Sequence, residues 1–309
     1  MEENKLKFFF EGGSIAKETI CENFNYTESS IENCDILVSS KFEVGLYDTK
    51  EIQKRINSYK NRNKIVLIFL VSDNSKAFKI PNNVILYRTS LYKSKINKNE
   101  ILLPYIWECY DKSEAPLSKT TKPKVGFCGN VEKNIGKRLS TIKAMDKNKG
   151  IETDFILRKG FWAGKPNDEQ LKNDYIQNLI NSHFTICNRG RGNFAIRFYQ
   201  ALSLGRIPVL IDSDMVFPFE DKINWDDVII RAKNETELAE KIVLWWQNKS
   251  DLDVINAQLK CREIYDNYLT AASYSKILEK ELVHKINNFD VNQQAKDGFF
   301  QTFLNKIFK

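Results

Sequence analysis

The chain has 309 residues, with 47 Lys and Arg against 40 Asp and Glu for a net charge of +7, and it is 42% hydrophobic and 12% aromatic. That apolar content offsets the entropy of ordering the backbone, so disorder throughout is excluded and two domains are expected. His183 and His284 are the only histidines, which leaves a His-rich metal cage or a Ser-His-Asp triad without material. The chemistry then falls to Arg, Lys, carboxylates and backbone.

Short apolar runs at Leu6–Phe10, Asp35–Ser39, Ile65–Val71 and Val84–Tyr87 alternate with longer polar, helix-compatible segments such as Thr49–Asn63. Runs of this length, bounded by polar loops, read as buried parallel strands in βαβ units. Ile101–Tyr105 closes the first half, and Asp111–Lys124, rich in Lys, Ser, Thr and Pro, reads as a linker. A second series follows: a strand at Lys124–Gly129, a helical stretch with Lys137 and Arg138, a strand at Thr153–Leu157 and a helix at Glu169–Ser182. It continues with a strand at Phe184–Cys187, a helix over Asn193–Leu204 ended by Gly205, and a strand at Ile207–Ile211. A short strand near Val228–Arg231, a helix over Glu235–Gln247 and a long helical segment from Leu252 to about Ile286 complete the chain. The expected architecture is α/β, with two Rossmann-like domains facing one another. The expected divisions are residues 1–115, 122–260, and 261–309 as a helix packing back toward the first domain plus a tail.

Six cysteines are scattered with no CxxC pair, several inside apolar runs, as free thiols of a reducing compartment would be. The amino terminus carries acidic residues and only a short Phe8–Phe10 block, and no run approaches the roughly 20 apolar residues of a membrane span. A cytoplasmic protein is expected. At the other end, Phe299, Phe300, Phe303, Leu304, Ile307 and Phe308 fall on one helical face beside Lys306 and Lys309. Residues 298–309 can therefore lie peripherally in a membrane interface, dock on the amino-terminal domain, or make a dimer contact.

Most of the chemistry lies between Phe184 and Trp225. A strand ends at Cys187, and a loop with Arg189, Gly190, Arg191 and Gly192 opens into a helix bearing Arg197 and Gln200 on one face. Backbone N–H groups, a positive helix end and guanidinium groups converge there into an anion site suited to a diphosphate; a surface Arg/Gly loop is the plainer alternative. Asp212-Ser213-Asp214 follows a strand as a literal DxD, either metal-binding or a loop rimming the pocket of this site. Phe217, Phe219 and Trp225 are core residues or stacking partners for a base or sugar, and His183, Trp245 and Trp246 read as packing residues.

These residues resemble the exostosin-type glycosyltransferase domain. Its signature is matched by Arg189-Gly190-Arg191, Arg197-Phe198-Tyr199, Gly205-Arg206-Ile207-Pro208-Val209, Phe217-Pro218-Phe219 and Ile223-Asn224-Trp225. Upstream, Gly126-Phe127-Cys128-Gly129-Asn130 and Arg138-Leu139 are similar to the family's first donor-domain strand and loop; the first 110 residues carry almost no resemblance. The resemblance implies an inverting, metal-independent glycosyltransferase of the two-Rossmann GT-B type. It would take a nucleoside-diphosphate sugar as donor and a glycan or lipid-linked saccharide as acceptor, with no cofactor. Implied donor contacts are Gly129, Asn130, Arg138, Arg189, Gly192, Asn193, Gln200 and Asp212. Relatives usually carry Glu at the position of Gln200, where a carboxylate would meet ribose hydroxyls.

Arg191 and Arg197 are the candidates for stabilising the departing diphosphate. Inversion also needs a general base. Glu11, followed by Gly12-Gly13-Ser14 at the carboxyl end of a strand, is the first candidate; Glu108 and Asp111 are weaker. The competing classes are a fucosyltransferase-like enzyme of the same fold, which the Arg-Gly loop and Ile-Asn-Trp patch fit poorly, and a protein that binds a nucleotide or nucleic acid without catalysis. A charge excess of seven over 309 residues, with no nucleic-acid fold signature, argues against a nucleic-acid partner.

Overall fold

The computed structural model describes residues 5–11, 24–39 and 48–288, apart from 63, 113, 161, 162, 164 and 166. Gly12-Gly13-Ser14 and the apolar tail lie outside the described residues. The chain divides into two units, one of residues 1–90, 95–103 and 270–309, the other of 91–94 and 104–269.

The first unit is a six-stranded parallel sheet of β1 (Leu6–Glu11), β2 (Tyr26–Glu28), β3 (Ile36–Ser39), β4 (Ile65–Leu70), β5 (Val84–Arg88) and β6 (Glu100–Leu102), in the order β2-β1-β3-β4-β5-β6. Strands β3, β4 and β5 are buried along their whole length, as near-continuous apolar runs require. Helix α1 (Thr49–Ser58) starts at Asp48, whose carboxylate accepts from the Lys50 N–H at 2.8 Å. One turn apart, Ile52 and Ile56 pack on Leu37, Val66, Ile68 and Leu86; each such side chain contributes about 1.5–3 kcal/mol. Edge strand β6 is held by a buried ion pair, Arg88 Nη1 to Glu100 Oε1 at 2.7 Å.

The second unit alternates β7 (Lys124–Asn130), α2 (Arg138–Lys147), β8 (Glu152–Arg158), α3 (Glu169–Ile180), β9 (Phe184–Ile186), α4 (Ile196–Ser203), β10 (Ile207–Ile211), β11 (Ile230–Ala232), α5 (Glu235–Gln247) and α6 (Asp251–Ile264). Its sheet is also wholly parallel, in the order β8-β7-β9-β10-β11. The last helix, α7 (Ala271–Asn288), groups with the first unit, where Glu279 accepts from the Asn25 N–H at 3.1 Å. Among the described residues no helix is long and apolar enough to cross a membrane.

Both units have the same winding: the second strand flanks the first on one side, and the third and later strands lie on the other. Such a sheet leaves a crevice at the carboxyl ends of its first and third strands, where ligands of open α/β sheets bind. In the first unit those ends are Glu11 and Ser39, which are register partners. In the second they follow Cys128 on β7 and Ile186 on β9.

The Lys/Ser/Thr/Pro segment is not a linker. Gln258 bonds both ways with Leu117, donating to its carbonyl at 2.8 Å and accepting from its N–H at 2.9 Å. Fully buried Arg206 donates to the carbonyls of Ala115 and Ile180, at 3.1 and 2.9 Å, and Trp246 Nε1 donates to Thr120 O at 3.1 Å. Arg206 and Trp246 can reach backbone there because a polar, strand-free segment leaves its carbonyls unpaired. The units accordingly divide after Leu103, ahead of the residue 115–122 boundary.

Candidate active site

The site of the second unit is built where β7 and β9 end. Helix α4 begins at Ile196, three residues later than the sequence pattern suggests, because Phe194 O accepts from the Gly190 N–H at 3.0 Å and closes the preceding loop. Its N-cap is Ala195, with no capping side chain. Arg197 therefore stands in the first turn, 8% exposed, and spans the crevice: Nη2 donates to Cys128 O at 2.6 Å and Nη1 to Ile186 O at 3.3 Å. The guanidinium lies 4.3 Å from the centre of the Phe127 ring. Gly129, at φ +157°, leaves room for it; a Cβ there would sit 2.8 Å from Arg197 Nη2. Arg197 thus engages backbone carbonyls on both strands of the crevice. Yet among the described residues no carboxylate lies within ion-pair distance of it, and its Nε has no partner. Among the described residues, this buried positive charge has no side chain to neutralise it.

Two loops interlock above this point. The loop after β7 runs through four left-handed positions, Lys133, Asn134, Gly136 and Lys137, and Gly136 packs against the carbonyl of Arg189. Arg138, at the start of α2, reaches Asn130 O at 3.4 Å and Asn188 O at 3.5 Å. Arg189 Nη1 donates to Arg191 O at 3.1 Å, and the Arg191 side chain is exposed. Asn130 Oδ1 accepts from the Glu132 N–H at 2.8 Å, and Asn188 ties β9 to α2 and β10 through Thr141 and Ile211. Gly129, Asn130, Arg138, Arg189 and Arg191 are therefore brought together at one sheet edge.

Other expected contacts go elsewhere. Gln200 is buried, accepting from Tyr175 Oη at 2.6 Å and donating through Nε2 to Glu108 O at 2.9 Å. Both ends of the amide are occupied inside the unit. Burial pushes the Tyr175 hydroxyl up to about 12, so it remains a donor. Asn193, next to Gly192 in the closed loop, donates to Leu91 O at 2.9 Å and Ser213 O at 3.1 Å and accepts from Ser213 Oγ at 2.7 Å. It ties residues 91–94 to the loop after β10. The DxD is likewise used locally: Asp212 accepts from the Asp214 N–H at 2.9 Å, and Asp214 accepts from Ser94. Asp212 also lines a cleft of about 660 Å³ beside edge strand β11 with Arg231, Lys241 and Trp245; no residue of the β7–β9 crevice lines that cleft. Phe217 and Trp225 are core, packed on Phe198 at 5.6 and 5.2 Å between ring centres. Glu108 accepts from Tyr105 Oη at 3.0 Å, and the Asp111 carbonyl accepts from Arg262.

In the first unit Glu11 stands, half-buried, at the crevice end of β1. Its Oε2 accepts from Tyr59 Oη at 2.5 Å, and Tyr59 Oη is 2.8 Å from Ser39 Oγ. Nothing in the sequence around Tyr59 or Ser39 singles them out; both are reached only through strand register and the end of α1.

An exostosin GT47 domain model matches residues 56–243. The exostosin-1 homolog of Caenorhabditis elegans is 28% identical over 107 residues, covering 34% of this chain and 27% of that protein. Exostosin-1 of Drosophila melanogaster is 44% identical over 66 residues, covering 21% of this chain and 9% of that protein. The chain thus spans about a quarter or less of the length of these relatives. In fold it is similar to Anabaena HepE, solved in complex with UDP, with a TM-score of 0.51 and 10% identity over 91% of this chain and 100% of that one.

Proposed function

The chain belongs to the exostosin GT47 family, and on that premise we propose that it is an inverting glycosyltransferase. In this reading it moves a sugar from a nucleoside-diphosphate sugar to a hydroxyl of a glycan or lipid-linked saccharide. The observation that carries the reading is Arg197, a buried cation at the β7–β9 crevice whose charge no described carboxylate balances. A buried unpaired charge is costly, and an anion bound at the crevice offsets that cost. The uncapped start of α4, Arg138, Arg189 and the exposed Arg191 add donors suited to a diphosphate. HepE, which shares the fold, was solved with UDP, in keeping with a donor of that class.

Glu11 takes the proton of the acceptor hydroxyl as its oxygen forms the new bond to the anomeric carbon. The bond from that carbon to the phosphate oxygen breaks, and its electron pair leaves with the nucleoside diphosphate. Negative charge grows on the leaving oxygen, and Arg191 with the field of Arg197 stabilises it, which assigns to guanidinium groups the role a metal ion plays elsewhere.

Release of nucleoside diphosphate from UDP-glucose, UDP-N-acetylglucosamine, UDP-glucuronic acid, GDP-mannose and GDP-fucose tests the reading. Turnover is expected with at least one donor, and Arg191→Ala is expected to lower kcat about 100-fold. Absence of both binding and turnover across the panel overturns it.

A further inference from the structure

The carboxyl edge of the first sheet carries a hydrogen-bonded chain that ends on Glu11. Tyr59 closes α1 as its C-cap, is 4% exposed, and packs in the core with Ile52, Ile56 and Val66. Its carbonyl is also fixed, accepting from Asn83 Nδ2 at 2.9 Å. Ring, backbone and hydroxyl are therefore all held. The phenol has one proton, and that proton goes to Glu11 Oε2 at 2.5 Å; Ser39 must then be the donor in the 2.8 Å Ser39–Tyr59 contact. Burial, and after it the bond to Glu11, pushes the Tyr59 hydroxyl up from its ordinary value, with the Ser39 hydrogen bond and, more weakly, Arg55 acting the other way, so it stays an O–H donor.

A buried phenol needs one partner, and fully buried Ser39 alone supplies it. The second partner is a half-exposed carboxylate at the end of β1, which satisfaction of the core does not require. Glu11 and Ser39 are register partners on β1 and β3, the two strands that flank the crevice of this unit. A glutamate at a strand end has three rotatable bonds; a rigid donor on one oxygen confines it.

We infer that Tyr59 is a positioning residue for the transfer reaction: its buried hydroxyl, polarised by Ser39, fixes Glu11 Oε2 so that the carboxylate is held ready to take the acceptor proton. The inference rests on the reading of Glu11 as general base.

The test is a double-mutant cycle on the full chain, using the nucleotide sugar that turns over in the donor panel. Steady-state kcat and KM, affinity for UDP or GDP, and thermal midpoint are measured for Tyr59→Phe, Glu11→Gln, the double variant and Ser39→Ala. Glu11→Gln should lower kcat about 1000-fold. Tyr59→Phe should lower kcat about 30-fold, with donor KM and diphosphate affinity unchanged. In the Glu11→Gln background, Tyr59→Phe should cost nothing further, because the group it positions is gone. Full kcat in Tyr59→Phe beside an inactive Glu11→Gln overturns the positioning role, as does a Tyr59→Phe loss that persists undiminished in the double variant. Wild-type kcat in Glu11→Gln instead overturns the base reading itself. If Tyr59→Phe fails to fold, Ser39→Ala decides, with a loss of about 3-fold that disappears in the Glu11→Gln background; a loss that persists there, or no loss, overturns the inference.

Discussion

Gly136→Ala probes the interlock of the two loops at the β7–β9 crevice. Gly136 has φ +60°, and a Cβ there would lie 2.1 Å from the backbone oxygen of Arg189, with the Arg189 carbonyl carbon at 3.0 Å. Ordinary contact begins near 3.4 Å, so the loops must part by about 1.3 Å, and the obstacle is backbone rather than a flexible side-chain end. The left-handed conformation costs an alanine about 1–2 kcal/mol and overpacking about 1–3 kcal/mol, a total of about 2–5 kcal/mol. For a unit of this size that lowers the thermal midpoint by about 5–15 °C. Displacing the Arg189 carbonyl moves Arg189 and Arg191 together, so affinity for a nucleoside diphosphate should fall about 10-fold. Gly190→Ala is the control, since its Cβ would meet only Arg138 Nη2, at 3.5 Å, with no left-handed φ. It should stay within about 0.5 kcal/mol of wild type. Calorimetric titration with UDP and GDP and a thermal melt of both variants decide the matter. A Gly136→Ala protein that melts and binds like wild type refutes the interlock.

Arg197→Met removes both bonds from the crevice to Cys128 O and Ile186 O and should destabilise the free protein by about 2–4 kcal/mol; it should also abolish the rise in melting temperature on adding nucleoside diphosphate, and a retained wild-type rise contradicts the counter-charge role. Gln200→Glu places a carboxylate against Glu108 O, which now accepts from Gln200 Nε2 at 2.9 Å, so urea titration should give a loss of about 1–3 kcal/mol at neutral pH that shrinks as acid protonates the new side chain. His183 is buried, donating through Nε2 to Ser118 O and accepting at Nδ1 from the Lys124 N–H, and burial holds its pKa below the ordinary value. The unfolded chain therefore binds a proton that the folded chain does not, so this contribution is full above the unfolded value near 6.5 and declines as pH falls below it, by at most about 1.4 kcal/mol per pH unit. Urea midpoints from pH 8 to 5 should fall more steeply for wild type than for His183→Gln, and parallel curves contradict the assignment.

The elements legible in the sequence are those whose boundaries are chemical. Strand β10 runs from Ile207 to Ile211 as read, because Gly205-Arg206 and Asp212 bound an unbroken apolar run, and α5 starts where Asn234 caps it. The sequence pattern marks neither β2 nor β6 as a strand, and these are the two edges of the first sheet. An edge strand buries only part of itself and needs no apolar run; Glu100, buried against Arg88 across the sheet, identifies β6 only once the fold brings them together. In the site, the Arg-Gly loop and the strand ends were legible because glycine and arginine are conspicuous. The assignments of Asn193 and Gln200 were not, since an amide that satisfies buried backbone reads in sequence like one that meets a ligand. Tyr59 is silent because only strand register and the end of α1 bring it to Glu11.

Charge sorts the arginines of the second unit by burial rather than by motif. Arg206 and Arg158 are buried and donate to carbonyls, of Ile180 and Ala115 for the first and of Leu171 for the second, and Arg262 joins Ser203 O to Asp266. These are braces. Arg158 and Arg262 have a carboxylate within ion-pair distance, and burial pushes Arg206 down to about 10. Arg197 shares the brace geometry but sits at the crevice that the strand order creates, and the first unit places Glu11 at its own equivalent crevice. Two sheets of the same winding thus present opposite charges at the same topological position.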